Sequence, residues 1–184
     1  MPGEFLSLHF SDGFVIGCGT VCIDLTKDLV LLLYCRIRRQ YHLPKGRKNV
    51  GESLEDAAVR ETFEESGYKC RILPHNLVTL APDYDASQAH KEPLAVQQRR
   101  SWGPHRIIFW YLAEANSTET PAVGTQEEWE DFEPHWLSLD EAAAKLARAD
   151  DQQVVARAIE AVLNLKDKKG VLENGAETFQ APVS

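Results

Sequence analysis

No run of about 18 apolar residues occurs in the 184-residue chain, so nothing in it reads as a membrane-spanning helix. Paired CxxC spacing is also missing. The four cysteines, Cys18, Cys22, Cys35 and Cys70, stand mostly among strand-like apolar residues, which excludes a zinc ribbon or a dithiol redox motif and predicts buried, reduced thiols. The opening MPGEFLSLHFSDGF has an early Glu and no continuous apolar segment, so it does not read as a secretory signal, and an intracellular protein of the cytoplasm or nucleus is expected. Bases are scarce. Lys plus Arg total 20 against 28 Asp plus Glu, a net charge of -8, which argues against a protein that coats nucleic acid by neutralising phosphates. Internal repeats and low-complexity tracts are absent too. What remains is an ordinary globular composition, 43% hydrophobic and 26% charged, in a 20.7 kDa chain that suits one domain, or one domain with a tail, and can bury a core without disulfides or structural metal.

Phe14 to Asp24 and Leu29 to Ile37, separated by Thr26-Lys27-Asp28, read as a β-hairpin, with a short strand over Tyr41 to Leu43. Pro44 and Gly46 then break regular structure. Ser53 is a helix N-cap, with Glu55 and Asp56 in the first turn, and Gly67 is a suitable stop. Tyr68 to Leu73 and Leu77 to Ala81 look like short strands, and Pro82 to Pro104 like a long polar loop. Arg106 to Ala113, apolar on both faces, belongs in a sheet centre. Glu133 to Leu137 gives another strand. Ser138 and Glu141 form a capping box for a helix from Leu139 to about Arg148, and a last helix spans about Asp151 to Leu165. Strands mixed with one central and two terminal helices predict an α/β sandwich with a mixed sheet over residues 1–165 and a mobile tail over 166–184.

Gly46 to Tyr68 reads GRKNVGESLEDAAVRETFEESGY. At 100° per residue, Glu61, Glu64 and Glu65 fall within roughly a 100° arc, so one helix face is expected to carry carboxylates while Val59, Thr62, Phe63 and Ser66 pack on the other. Such carboxylates repel each other by a few tenths of a kcal/mol per pair, a penalty that a divalent cation removes. Hard oxygen donors without His or Cys select Mg2+ or Mn2+, and magnesium commonly combines one or two carboxylates with substrate phosphates. Arg60, one turn before Glu64, can pair with it and fix its orientation.

The segment resembles the Nudix box, Gx5Ex7REUxEExGU with U aliphatic: Gly46, Glu52, Arg60-Glu61, Glu64-Glu65 and Gly67 all stand in register, and only Thr62 and Tyr68 depart, at the two U positions. The resemblance implies the family's α/β/α sandwich and hydrolysis of a diphosphate linkage. It implies Glu61 and Glu65 as main metal ligands and Glu64 as a further ligand or a base acting through water. It also implies Glu52 as an auxiliary ligand, the Gly46 carbonyl as a backbone ligand and Arg60 as the residue that orients the glutamates. Glu64, Glu65 and Arg60 are thereby the expected catalytic residues.

Substrate is suggested by local charge. Arg36 to Lys48 holds six bases and no acid: Arg36, Arg38, Arg39, Lys45, Arg47 and Lys48, positioned to focus a polyanion onto the metal site. Lys91, Arg99, Arg100 and Arg106 can add to it. A strongly anionic diphosphate follows: a diphosphoinositol polyphosphate, a dinucleoside polyphosphate or a capped RNA end. The box and its approach look most like the branch that hydrolyses the first two. Cap or nucleotide-sugar (ADP-ribose type) hydrolysis is the alternative, and a non-catalytic ligand-binding module a further one; no obligate protein partner is predicted. Trp102 and Trp129, in polar loops, are candidates to stack a base, whereas Trp110 and Tyr111 read as core and His42, His105 and His135 as structural. Glu114 to Glu133 holds seven acids, from which Glu127 and Glu128 are candidates for an extra ligand or base.

Overall fold

The computed structural model describes residues 7–100 and 103–176. In chain order the elements are β1 (Phe14–Asp24), β2 (Leu29–Cys35), β3 (Gln40–His42), β4 (Lys45–Arg47), α1 (Leu54–Ser66), β5 (Arg71–Ile72), β6 (Ala95–Arg99), β7 (His105–Glu114), β8 (Phe132–Ser138), α2 (Leu139–Lys145) and α3 (Ala149–Ala176). The eight strands form one mixed sheet. β1 and β7 pair in parallel from Phe14↔His105 to Ile23↔Glu114, and the other pairings are antiparallel.

The predicted hairpin forms, but β1 and β2 stay paired only at Ile23↔Val30 and Asp24↔Leu29. β2 then follows β8 along its whole length. The edge of β1 that β2 abandons is taken by β4, with Cys18 opposite Gly46. Close approach here depends on glycine: a Cβ on Gly19 would lie 2.5 Å from the Pro44 carbonyl and 2.6 Å from the Trp110 ring.

Alternation along the strands divides the core into two layers. Cys18 and Cys22 of β1 and Tyr111 and Ala113 of β7 lie under α1, with Ala57 and Ala58. Val21, Ile23, Trp110 and Leu112 lie on the other side, against Ala142, Leu146, Val155 and Val162. The expected α/β/α sandwich is therefore present. All four cysteines are free, three of them buried. No described helix is long and apolar enough to cross a membrane.

Several sequence expectations are corrected. Lys45–Arg47 is a strand despite Pro44 and Gly46, because it pairs with β1. Ala95–Arg99, inside the expected polar loop, is a strand because β7 offers it an edge. Leu77 to Ala81 is not a strand, and Val78 and Leu80 are exposed. α2 ends at Lys145, and its Ser138 hydroxyl donates to the Glu141 carboxylate (2.8 Å) rather than capping a backbone amide. α3 continues past Leu165 to Ala176, so the expected tail begins inside a helix, and residues 177–184 lie outside the described residues.

Candidate active site

Helix α1 starts and stops where local chemistry dictates. The Ser53 hydroxyl accepts the Asp56 amide (3.0 Å), and Gly67, at φ 76°, donates its N–H to the Phe63 carbonyl (2.7 Å). The packed face includes Thr62 and Ser66 as expected but is turned away from Val59 and Phe63 towards the glutamates. Ala57, Ala58, Glu61, Thr62, Glu65 and Ser66 are buried, while Val59 and Phe63 are only partly covered. Glu61 and Glu65 thus lie at the middle of the packed arc. Two alanines let the helix sit close to the sheet, Thr62 bonds to Thr20 across the interface (2.8 Å), and Gly46 leaves room for a carboxylate. A Cβ on Gly46 would fall 1.8 Å from Glu61 Oε2.

Arg60 organises the carboxylates through five hydrogen bonds. Its Nε and Nη2 grip both oxygens of Glu52 (2.7 and 2.9 Å), Nη1 reaches Glu61 (2.7 Å) and Glu64 (2.8 Å), and Nη2 also donates to the Arg47 carbonyl (2.9 Å). The expected Arg60–Glu64 pair is one part of this cluster. Environment separates the four acids. Hydrogen bonding to Arg60 holds the Glu52 carboxyl down at about 2 against the opposing effect of burial. Burial raises Glu61, with Arg60 pulling the other way. Burial pushes Glu65, 4% exposed, up to about 8, although Lys45 opposes this by its charge and by an amide bond to Glu65 Oε2 (2.7 Å). Glu64 has 38% of its side chain exposed and faces open space.

That open space is a cleft of ≈ 570 Å³ lined by Gly46, Arg47, Asn49, Arg60, Glu61 and Glu64 on one side and Glu127, Trp129 and Glu130 on the other. Of the acidic-loop candidates, Glu127 reaches the cleft and Glu128 does not line it. Glu130, which sequence reasoning missed, does, and its charge helps raise Glu61 and Glu65. A larger recess of ≈ 690 Å³ opens near the ends of β1 and β7. Its acids are already engaged, Asp24 by Thr26, Lys27 and Ser117 and Glu114 by Arg71, so the chemistry lies with the α1 cleft.

The basic segment does not act as one surface. Arg36 pairs with Asp131 (3.1 Å) and Glu133 (3.2 Å), and Arg38 and Arg39 sit on the exposed turn before β3. Lys45, Arg47 and Arg106 line a smaller cavity of ≈ 120 Å³ with Val15, Gly17, Gly46 and Ile108, and Arg47 borders both cavities. The Lys48 ammonium bonds to the Asn49 carbonyl (2.9 Å). Arg99 is paired with Asp151, while Lys91 and Arg100 are exposed. Trp110 is core, its indole bonded to Gln97 (3.2 Å), and Tyr111 is buried; Trp102 lies outside the described residues. His135 bonds to the Tyr41 hydroxyl (2.9 Å), His42 faces Phe132, and His105 stacks on His9.

A NUDIX domain family model matches residues 16–158. The chain belongs to the Nudix family. Its sandwich superposes on that of an Ap4A hydrolase from Caenorhabditis elegans with a TM-score of 0.57 at 20% identity, covering 82% of this chain and 98% of that one. A MutT protein from Methanosarcina mazei Go1 gives 0.56 at 17%, covering 83% and 97%. In sequence, a putative nudix hydrolase 1 from Caenorhabditis elegans is 44% identical over 36 residues, a match spanning 20% of this chain and 10% of that relative's length.

Nudix hydrolases generally use divalent metal ions. With Arg60 bridging Glu52, Glu61 and Glu64, no three His, Cys, Asp or Glu side chains among the described residues stand ready as a metal site. The donors nevertheless fit a hard dication. They are carboxylates, two of them buried so that charge on them is unfavourable until a cation compensates it, beside a glycine that keeps the cradle open.

Proposed function

We propose that this Nudix chain hydrolyses a diphosphate linkage in a strongly anionic substrate, with Mg2+ or Mn2+ held by Glu61, Glu65 and Glu64, the Gly46 carbonyl as a backbone ligand and Glu52 in an auxiliary role. The observation that carries this reading is the burial of Glu61 and Glu65 against β4, where ionisation is unfavourable without a cation. The cation supplies polarisation of the phosphoryl oxygens and charge neutralisation on the leaving phosphate. Glu64, the most exposed of the box acids, has Oε2 held by Arg60 and receives a proton from the attacking water. Arg60 keeps Glu52, Glu61 and Glu64 aligned. Lys45, Arg47 and Arg106 draw the polyanion towards Gly46, and Arg47 borders both the carboxylate cleft and the basic cavity. Arg36 adds little because Asp131 and Glu133 neutralise it.

Diphosphoinositol polyphosphates and dinucleoside polyphosphates are the preferred substrate classes. An Ap4A hydrolase among the structural neighbours lends support to the second. A panel with magnesium or manganese that also includes capped RNA and ADP-ribose decides among substrates. Turnover of at least one phosphoanhydride, falling by about 100-fold or more in Glu64→Gln, is the expected result. Tight binding without turnover by the unmodified protein would instead identify a ligand-binding module.

A further inference from the structure

Residues 78–89, in the long connection between β5 and β6, contain no buried side chain, and Val78 and Leu80 are exposed. A segment with so few apolar contacts opens easily and needs polar ties to keep one conformation. Those ties converge on two histidines at its base.

His75 and His90 exchange both backbone hydrogen bonds of an antiparallel bridge, 2.9 Å each. Their side chains repeat the exchange. His75 Nδ1 accepts the Leu77 amide (3.3 Å), and its Nε2 bonds to the Glu92 carbonyl (2.9 Å). His90 Nδ1 accepts the Glu92 amide (3.3 Å), and its Nε2 bonds to the Leu77 carbonyl (2.8 Å). Each ring thus joins the residue two places on in its own chain to the equivalent residue of the facing chain. The two rings meet edge to face at 4.6 Å between centroids. An amide N–H aimed at Nδ1 requires a lone pair there, and a carbonyl at Nε2 requires the proton there. These partners therefore assign the same neutral tautomer to both rings.

We propose that His75 and His90 form a clasp that holds residues 76–89 in place while both imidazoles are neutral and releases them when either takes up a proton. An added proton sits on Nδ1 and confronts a backbone donor, and two charged rings at this spacing repel each other. Facing His75 are His90, Glu92 and, from α3, Arg157. Around His90 stand His75, the Tyr84 ring at 5.9 Å, Lys91 beside it in the chain, and Asp83, Asp85 and Glu92 on a cavity of ≈ 170 Å³. The Asp85 carboxylate is already engaged by Ser87 and Gln88. Burial of His75, 2% exposed, holds its imidazole below the ordinary 6.5; the Glu92 carbonyl and carboxylate oppose this, and the charges of His90 and Arg157 reinforce it. A folded-state value below the unfolded one means that the contribution is complete above about pH 6.5 and is lost as pH falls through the folded value. Neither histidine lines the α1 cleft, so the inference stands apart from the hydrolase reading.

Nitrogen-15 NMR of the unmodified full chain at pH 8 should show both rings protonated at Nε2 only. Hydrogen exchange of the Leu77, His90 and Glu92 amides, corrected for intrinsic rates and referred to amides of β1 and β7, should lose protection by about 10-fold or more between pH 7 and pH 5, since one proton taken up on opening shifts that equilibrium about tenfold per pH unit. In the double variant His75→Gln/His90→Gln each side-chain amide can still donate to the facing carbonyl but takes up no proton, so its corrected exchange should be equal at pH 5 and pH 7. A ring protonated at Nδ1 at pH 8, protection that is unchanged by acid or falls equally in β1 and β7, or an acid-dependent loss surviving in the double variant overturns the clasp. If the double variant does not fold, the tautomers and the exchange of the unmodified protein decide the matter.

Discussion

Glu65 gives the sharpest test, because its burial predicts opposite effects of one substitution on stability and on activity. In the metal-free protein its carboxyl stays protonated to about 8, against an ordinary 4.5. A folded-state value above the unfolded one means that its stabilising contribution is complete below about pH 4.5, erodes as pH rises, and is lost through about pH 8. That interval, at ~1.4 kcal/mol per pH unit, amounts to an upper bound of about 5 kcal/mol. Relaxation and water entry reduce it, and about 2 kcal/mol is expected. Glu65→Gln keeps the shape and an oxygen to accept the Lys45 amide but has no charge to bury. In EDTA, the variant should match the unmodified protein near pH 5 and exceed its Tm by about 4–8 °C at pH 9, since ~1 kcal/mol moves a domain of this size by 2–4 °C. Magnesium should close that gap by stabilising only the unmodified protein, while turnover of the variant falls by about 100-fold or more. Melting curves that stay parallel from pH 5 to 9, or a variant with near-normal turnover, would refute the reasoning.

Other substitutions probe the neighbours. Arg60→Ala should lower the unfolding free energy, read by urea titration, by about 2–3 kcal/mol: breaking a buried pair costs ~3–5, and solvent reaches a quarter of this side chain. Arg60→Lys should recover little of the lost turnover, because an ammonium cannot reproduce the fork on Glu52. Gly46→Ala should leave a folded protein, seen by circular dichroism, but reduce turnover by about 100-fold or more, since the new methyl meets the flexible end of Glu61. Arg47→Ala should raise KM about 10-fold with kcat nearly unchanged, and the difference should shrink as salt is added; a salt-independent KM would remove Arg47 from anion capture.

What the sequence could determine was local or periodic. Ser53 and Gly67 bound α1 because a hydroxyl and a left-handed glycine satisfy the backbone groups that helix ends leave open, and these are properties of single residues. The apolar character of β7 on both faces marked it as central, and the box spacing gathered Gly46, Glu52, Arg60, Glu61, Glu64 and Glu65 around one helix. Tertiary structure decided everything that depends on a partner distant in sequence. β4 and β6 are strands only because β1 and β7 leave edges for them, and Leu77 to Ala81, with similar propensity, has no such edge and stays irregular. Periodicity alone treated the glutamates as facing outward, since it ranks charge as exposed; small residues at Ala57, Ala58 and Gly46 turned Glu61 and Glu65 inward instead. Glu130 and Trp129 reached the site through hydrogen bonds from Thr125 and Gln126 to the end of α1, some sixty residues earlier in the chain, a distance across which no spacing rule carries information.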